Sequence, residues 1–164
     1  MNPDLDKLQP YPFEKLAELK AGCTPPVELA HIALSIGEPK HPSPTVALDA
    51  IRDSLQQLNQ YPVTRGNTKL RQAICNWLQR RFELPDDSIR ADEHVIPVNG
   101  TREALFAFAQ CTVDHNSDAL VLMPNPFYQI YEGAALLAGA TPYFYSTAPE
   151  NNYLPDFDAI SDDT

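Results

Sequence analysis

The sequence predicts an α/β fold with a mainly parallel sheet, and three observations carry that prediction. From His94 onward, short apolar runs and helical periods alternate as strand, helix, strand, helix, strand, over about 95–98, 101–113, 119–123, 127–138 and 142–146. Gly100 punctuates the first strand-to-helix turn, and Pro124 and Pro126 punctuate the second. A composition of 43% hydrophobic and 9% aromatic residues over 164 positions supplies enough apolar material for one core. Strands joined by crossover helices lie parallel, the crossovers are right-handed, and ligands collect at the carboxyl ends of the strands.

The elements follow in order. Sixteen prolines are concentrated in connections, and Pro25, Pro26, Pro39, Pro42 and Pro44 break the first third into a short helix and extended pieces. Phe13, Leu16, Ala17 and Lys20 allow about two helical turns, closed at Gly22 by a left-handed glycine. His31 to Ser35 reads as a short strand. Ser43 and Pro44 supply a cap and a first helical residue, after which Leu48, Ile51, Leu55 and Leu58 recur at helical spacing. Asn67 or Thr68 caps the next helix, where Leu70, Ile74, Trp77, Leu78 and Phe82 form one apolar face and Arg71 and Arg80 lie off it. Leu84-Pro85-Asp86-Asp87 ends that helix. After Ala148 the chain is polar and acidic.

A net charge of −10 disfavours nucleic acid and acidic membrane surfaces, which are bound through clustered Lys and Arg. No run approaches the length of a membrane span, and no basic, apolar leader opens the chain, so the expected compartment is the cytoplasm. Cys23, Cys75 and Cys111 are widely spaced without CxxC or metal-ligand partners; buried thiols are expected, with no disulfide framework and no metal site. His31, His41, His94 and His115 adjoin turns or strand starts and read as solvated or packed. Asp86-Asp87 and Asp162-Asp163 read as loop residues.

Two turns carry the chemistry. At Val98-Asn99-Gly100-Thr101-Arg102-Glu103-Ala104, glycine permits close approach, free helix N–H groups favour an anion, and Thr101 and Arg102 add side-chain donors. A phosphate suits this place; an ordinary strand-to-helix turn is the competing reading. Neither GxGxxG nor GxxxxGK[ST] occurs. At Met123-Pro124-Asn125-Pro126-Phe127-Tyr128, the prolines bring Phe127, Tyr128 and Tyr131 to the same strand edge, where an aromatic can face a flat ring or join the core.

Leu34-Ser35-Ile36-Gly37-Glu38-Pro39, the Tyr61 to Trp77 segment, Gly100-Thr101-Arg102-Glu103-Ala104-Leu105 and Pro126-Phe127-Tyr128 occur in the order found in one family. The chain resembles the class I/II, fold-type I aminotransferases that use pyridoxal 5'-phosphate. Gly37 to Pro42, Val98 to Ala107 and Asn125 to Tyr131 extend the resemblance to the succinyldiaminopimelate aminotransferases of lysine biosynthesis. The resemblance spans nearly all of this chain and under half of a family member of usual length.

The resemblance implies that Gly100, Thr101 and Arg102 surround the cofactor phosphate, that Tyr128 stacks on the ring, and that Gly37 lies in a loop over the substrate carboxylate. Tyr61 matches a tyrosine that reaches the phosphate of a neighbouring subunit, which implies a homodimer. The implied division is an arm and substrate loop over 1–45, helices over 46–93, the first part of an incomplete large domain over 94–148, and an acidic connection over 149–164. The implied reaction moves an amino group between N-succinyl-LL-2,6-diaminopimelate and 2-oxoglutarate. Lys7, Lys15, Lys20, Lys40 and Lys69 all precede the cofactor half and read as solvent-facing. No catalytic residue is therefore assigned: the Schiff-base lysine is absent from this chain, which is expected to be an inactive amino-terminal fragment. Asn67-Thr68-Lys69 departs from relatives that carry a proline or an acidic residue there. Two other readings compete: another fold-type I enzyme, such as a different aminotransferase or a carbon–sulfur lyase, and a non-catalytic phosphate-ligand or partner-binding α/β module.

Overall fold

Parallel pairing of two strands organises the part of the chain that holds both turns. The computed structural model describes residues 1–160. Contacts divide it into two compact bodies, one of Pro25–Pro97 and one of Met1–Thr24 with the chain from Val98 onward. The pair Asp162-Asp163 and the end of the acidic connection lie outside the described residues.

In the first body to be completed along the chain, α2 spans Thr45–Ser54 and runs into a 3-10 turn over Leu55–Asn59. Pro44 rather than Ser43 is its cap residue, a shift of one position. A longer helix, α3, covers Thr68–Phe82, with the Asn67 side chain accepting from the N–H groups of Lys69 and Leu70. Glu83 in the left-handed conformation closes it, donating its N–H to Gln79. The short α4, Ala91–His94, is capped from within, its His94 Nδ1 accepting from the Arg90 N–H at 2.9 Å.

Arg71 corrects the helical-face reading. Expected off the apolar face, it is only 4% exposed. Its guanidinium donates to the Ala91 carbonyl at 2.7 Å and to Asp92 at 2.8 Å. Leu70, Trp77 and Phe82, the expected core face, are half-exposed. The physical reason is that α3 packs on α4 and on no other element of its body, so the arginine's hydrogen bonds, not apolar area, fix that contact.

The other body begins with a 3-10 turn, Pro3–Lys7, and α1, Pro12–Lys20. Gly22 does not take the left-handed conformation expected of it; α1 ends through the Cys23 N–H donating to the Lys20 carbonyl at 2.9 Å. Then come α5 over Thr101–Thr112, β1 over Leu120–Asn125, α6 over Ile130–Leu137 and β2 over Thr141–Ser146. β1 and β2 pair in parallel from Leu120 opposite Thr141 to Asn125 opposite Ser146, with α6 as the crossover. Met123, Ala135 and Ala140 form the buried centre, with Val113, Val121, Phe127 and Tyr131 packed around it. Small residues at 134, 135 and 138 let α6 lie close against the sheet.

The α/β class therefore holds, with two strands fewer than expected among the described residues. Residues 95–98 and 31–35 form no strand and join no ladder among the described residues. Pro97 offers no N–H to a ladder, and extended apolar backbone becomes a strand only where a neighbouring edge accepts it. Of the thiols, Cys75 is buried as expected, while Cys23 and Cys111 are exposed. No helix among the described residues is long and apolar enough to cross a membrane.

Gly139, between α6 and β2, has a φ of +86°, and a Cβ there would overlap the His115 ring. Gly139→Ala is expected to cost more than about 1 kcal/mol, because it adds a steric clash to a left-handed backbone penalty. Thermal denaturation checks this: the double variant with His115→Ala recovers part of the loss, and an unchanged melting temperature in the single variant would refute the packing.

Asp92 sits below the usual carboxylate range because Arg71 donates a hydrogen bond to it and adds its charge. A depressed folded value makes the stabilisation complete above the unfolded carboxylate pKa of about 3.9 and lost as pH falls through the folded value. Urea titrations at pH 7 and at pH 3 should show a smaller acid loss in Asp92→Asn than in the parent. Equal losses would remove the ion pair from the account.

Candidate cofactor site

Gly100 precedes α5 with extended backbone at φ −169° and ψ 144°, a conformation open to any residue. A Cβ at this position would meet only the end of the Glu103 side chain, which folds back over the first turn and is free to move aside. Glu103 is the third residue of the helix, where an acidic side chain commonly reaches toward the amino end. The N–H groups of Thr101, Arg102 and Glu103 make no hydrogen bond among the described residues, as the start of a helix requires unless a cap intervenes. Thr101 and Arg102 are exposed, and Arg102 is in no ion pair among the described residues.

The second turn leaves β1 at Asn125, and α6 begins at Ile130, three residues later than the sequence pattern places it. Phe127 and Tyr128 thus stand in the connection, and they separate in role. Phe127 packs on Phe144 with ring centres 5.0 Å apart and belongs to the core. Tyr128 is 45% exposed, its ring edge-on to Tyr131 at 5.8 Å. Of the two readings for an aromatic here, Phe127 takes the core one and Tyr128 presents its ring.

The helix starts lie together. Arg102 of α5 lines a cavity of ≈ 230 Å³ with Phe127 and Gln129 of the connection and Glu132 in the first turn of α6, and Tyr11 from the amino-terminal segment forms another wall. Farther along, Gln110 Nε2 donates to the Ala134 carbonyl at 3.2 Å, so the two helices run side by side in the same direction. The first turn of α5 and the carboxyl end of β1 therefore share one edge of this body. Gly100, Thr101 and Tyr128 are near that edge without lining the cavity itself.

Gly37 and Tyr61 belong to the other body. Gly37 is exposed with open space around its Cα, and the Tyr61 ring is fully exposed. All five lysines are exposed, as expected. Among the described residues no His, Cys, Asp and Glu cluster could hold a metal ion. The Glu103 carboxylate over the α5 start and the wall contributed by Tyr11 escaped the sequence reading. A glutamate three residues past a glycine cap signals the former; nothing local signals the latter, because it joins segments far apart in sequence.

The donor set fits a ring that bears a phosphate. Among the described residues, the first three N–H groups of α5, the Thr101 hydroxyl and the Arg102 guanidinium, all in the first turn of that helix, have no partner, and the end of the flexible Glu103 side chain lies beside Gly100. An exposed ring at Tyr128 stands on the same edge.

Residues 30–164 match the family of aminotransferases of class I and II. LL-diaminopimelate aminotransferases from Aquifex aeolicus and Dehalococcoides mccartyi are each 33% identical, over 96% and 97% of this chain and 41% and 40% of their own lengths. A crystal structure of an aminotransferase from Neisseria meningitidis matches with a TM-score of 0.89 and 44% identity, covering 99% of this chain and 41% of that one. An aminotransferase from Helicobacter pylori matches at 0.80 and 34% identity. The chain thus spans about two-fifths of the length of these relatives. It belongs to the class I and II aminotransferases, whose cofactor is pyridoxal 5'-phosphate.

Proposed function

We propose that the chain is the amino-terminal portion of an aminotransferase and supplies the phosphate-holding and ring-facing half of its cofactor site. The observation that carries this reading is the meeting of two helix starts at one edge, with unpartnered donors on α5 and an exposed tyrosine before α6. In this reading the arm and substrate loop cover 1–45, the helices 46–93, the first part of the large domain 94–148, and the acidic connection 149–164.

When bound, pyridoxal phosphate supplies an aldehyde and an electron-accepting ring. The protein's own residues hold and orient it. First-turn N–H groups and the Thr101 hydroxyl take phosphate oxygens, the Arg102 guanidinium offsets their charge, and Glu103 must swing aside. Tyr128 fixes the ring plane, and Gly37 leaves room for a substrate carboxylate. Tyr61 serves a neighbouring subunit, which makes the assembly a homodimer. None of the five lysines, all at or before Lys69, has a place in the cofactor half, so the chain positions groups and does not itself move the substrate proton.

The amino donor is a diaminopimelate compound and the acceptor 2-oxoglutarate. Motifs from Gly37 to Pro42 and from Asn125 to Tyr131 support the N-succinyl form, while the Aquifex and Dehalococcoides relatives bear the name of the unmodified LL form. Turnover of both donors by the complete protein, with aspartate as the reference, decides between them; a preference for aspartate over both would refute this donor class.

In the complete protein, Arg102→Ala is expected to weaken cofactor retention about 10- to 100-fold, the worth of one charge-assisted hydrogen bond of about 1.5 to 3 kcal/mol. Tyr128→Ala should shift the cofactor absorbance. Dialysis and spectroscopy measure both, and parental behaviour in the two variants together would remove the site assignment. The purified chain alone should catalyse no transamination; turnover above background would show that it needs no lysine beyond its own five.

A further inference from the structure

Asn99 alone among the asparagines of the sequence is followed by a glycine. Such a pair is chemically reactive, because the nitrogen of a residue without a side chain can approach the preceding side-chain amide closely. Most other asparagines are blocked or held. Asn2 and Asn125 precede prolines, whose nitrogen carries no hydrogen. Asn67 caps α3, Asn76 accepts from Gln72 within that helix, and Asn116 donates to Asp114. Asn99 is exposed in the bend ahead of α5, and its side-chain amide makes no hydrogen bond among the described residues.

The Gly100 N–H is equally uncommitted among the described residues. Beside Gly100 lies the Glu103 carboxylate, which is in no ion pair among the described residues. One exposed turn, within a single body, therefore carries an amide carbon open to attack, a nitrogen to attack it and a carboxylate next to that nitrogen.

We propose that Asn99 is a self-modification site, converted to an acidic residue by the Gly100 nitrogen with Glu103 as the base. The Gly100 nitrogen bonds to Asn99 Cγ, and Glu103 accepts the proton that this nitrogen gives up. The Cγ–Nδ2 bond breaks, and the leaving nitrogen takes the proton from Glu103 to depart as ammonia. Water then opens the five-membered imide at one of its two ring C–N bonds, leaving an aspartyl or an isoaspartyl linkage at position 99. No oxidant or reductant takes part.

Either product adds one negative charge just ahead of the free N–H groups of α5. Repulsion between unit charges about 4 Å apart in water corresponds to about 5-fold in affinity, so phosphate binding should weaken by at least that much. A bound phosphate moves Glu103 aside and with it the base, so occupancy should protect Asn99. These two consequences rest on the cofactor reading above; the conversion itself does not.

The test incubates the complete protein, freed of cofactor, at pH 6, where hydroxide is scarce, and follows every asparagine by peptide mass spectrometry and isoaspartyl assay. Position 99 should convert ahead of the others, a comparison that needs no variant. Glu103→Gln should slow it about 10- to 100-fold, the lower reach of a positioned base. Saturating pyridoxal phosphate should slow it as well, and converted protein should bind pyridoxal phosphate about 5-fold more weakly or worse. Retention of Asn99 while Asn59 or Asn152 converts would overturn the proposal, and equal rates in the parent and Glu103→Gln would overturn the assisted mechanism. Conversion at position 99 that leaves pyridoxal phosphate affinity unchanged supports the modification site and overturns the phosphate reading of α5.

Discussion

The close seating of α6 on the parallel pair β1 and β2 is the contact from which the candidate site is built. A parallel ladder cannot be closed by a tight turn, so the chain must cross over the sheet, and the helix that crosses must lie flat against it. Ala134, Ala135 and Ala138 make this possible by removing side-chain bulk from the buried face, and Met123 fills the space between. Once α6 is seated, its first residue is fixed at the end where β1 finishes. Tyr128 has no freedom to be elsewhere: it lies in the few residues between Asn125 and Ile130. The bonds of Gln110 to Ala134 and of His115 to Ala138 then hold α5 and its following loop to the same helix.

Electrostatics at the site are local. The sequence has a net charge of −10, which repels an anionic cofactor at long range, yet ordinary ionic strength screens separations beyond about 8 to 10 Å. Phosphate binding at the proposed α5 start would then depend on the few donors within hydrogen-bonding reach. Glu103 gives that balance a second side. Its carboxylate covers the anion-favouring end of the helix, where it is itself favoured by the helix dipole by about 0.3 to 1 kcal/mol. A phosphate that makes two charge-assisted hydrogen bonds exceeds that figure several-fold, so displacement of Glu103 is a modest cost.

Local chemistry was legible in the sequence wherever it acted alone. The Asn67 cap, the Pro126 interruption and the glycine ahead of α5 each sit where their residue types direct. Pairing was legible only where two runs found each other: 120–125 and 141–146 formed a ladder, while 31–35 and 95–98 formed none. Arg71 shows a different failure. Helical periodicity sorts residues by polarity and so turned the arginine outward, whereas a carbonyl at Ala91 and a carboxylate at Asp92, twenty residues away, were sufficient to bury it. Phe127 and Tyr128 were indistinguishable by type and position, and the reach of Phe144 separated them.

The placement of these residues also limits what this part of the protein can discriminate. A phosphate and a flat ring are common to every reaction of a pyridoxal enzyme, and in the proposed site the α5 start and Tyr128 would offer contacts to those features alone. Donors at a helix start read charge, and an exposed ring reads flatness; neither reads the length of a substrate side chain. Discrimination among amino donors must come from groups that meet the substrate itself, and of the residues singled out here Gly37 alone is proposed to do so. A glycine contributes room and backbone rather than a recognising side chain. Selection by side-chain chemistry therefore has to be supplied by groups other than these. Resemblance in the cofactor turns is accordingly strong support for the cofactor and weak support for any one donor.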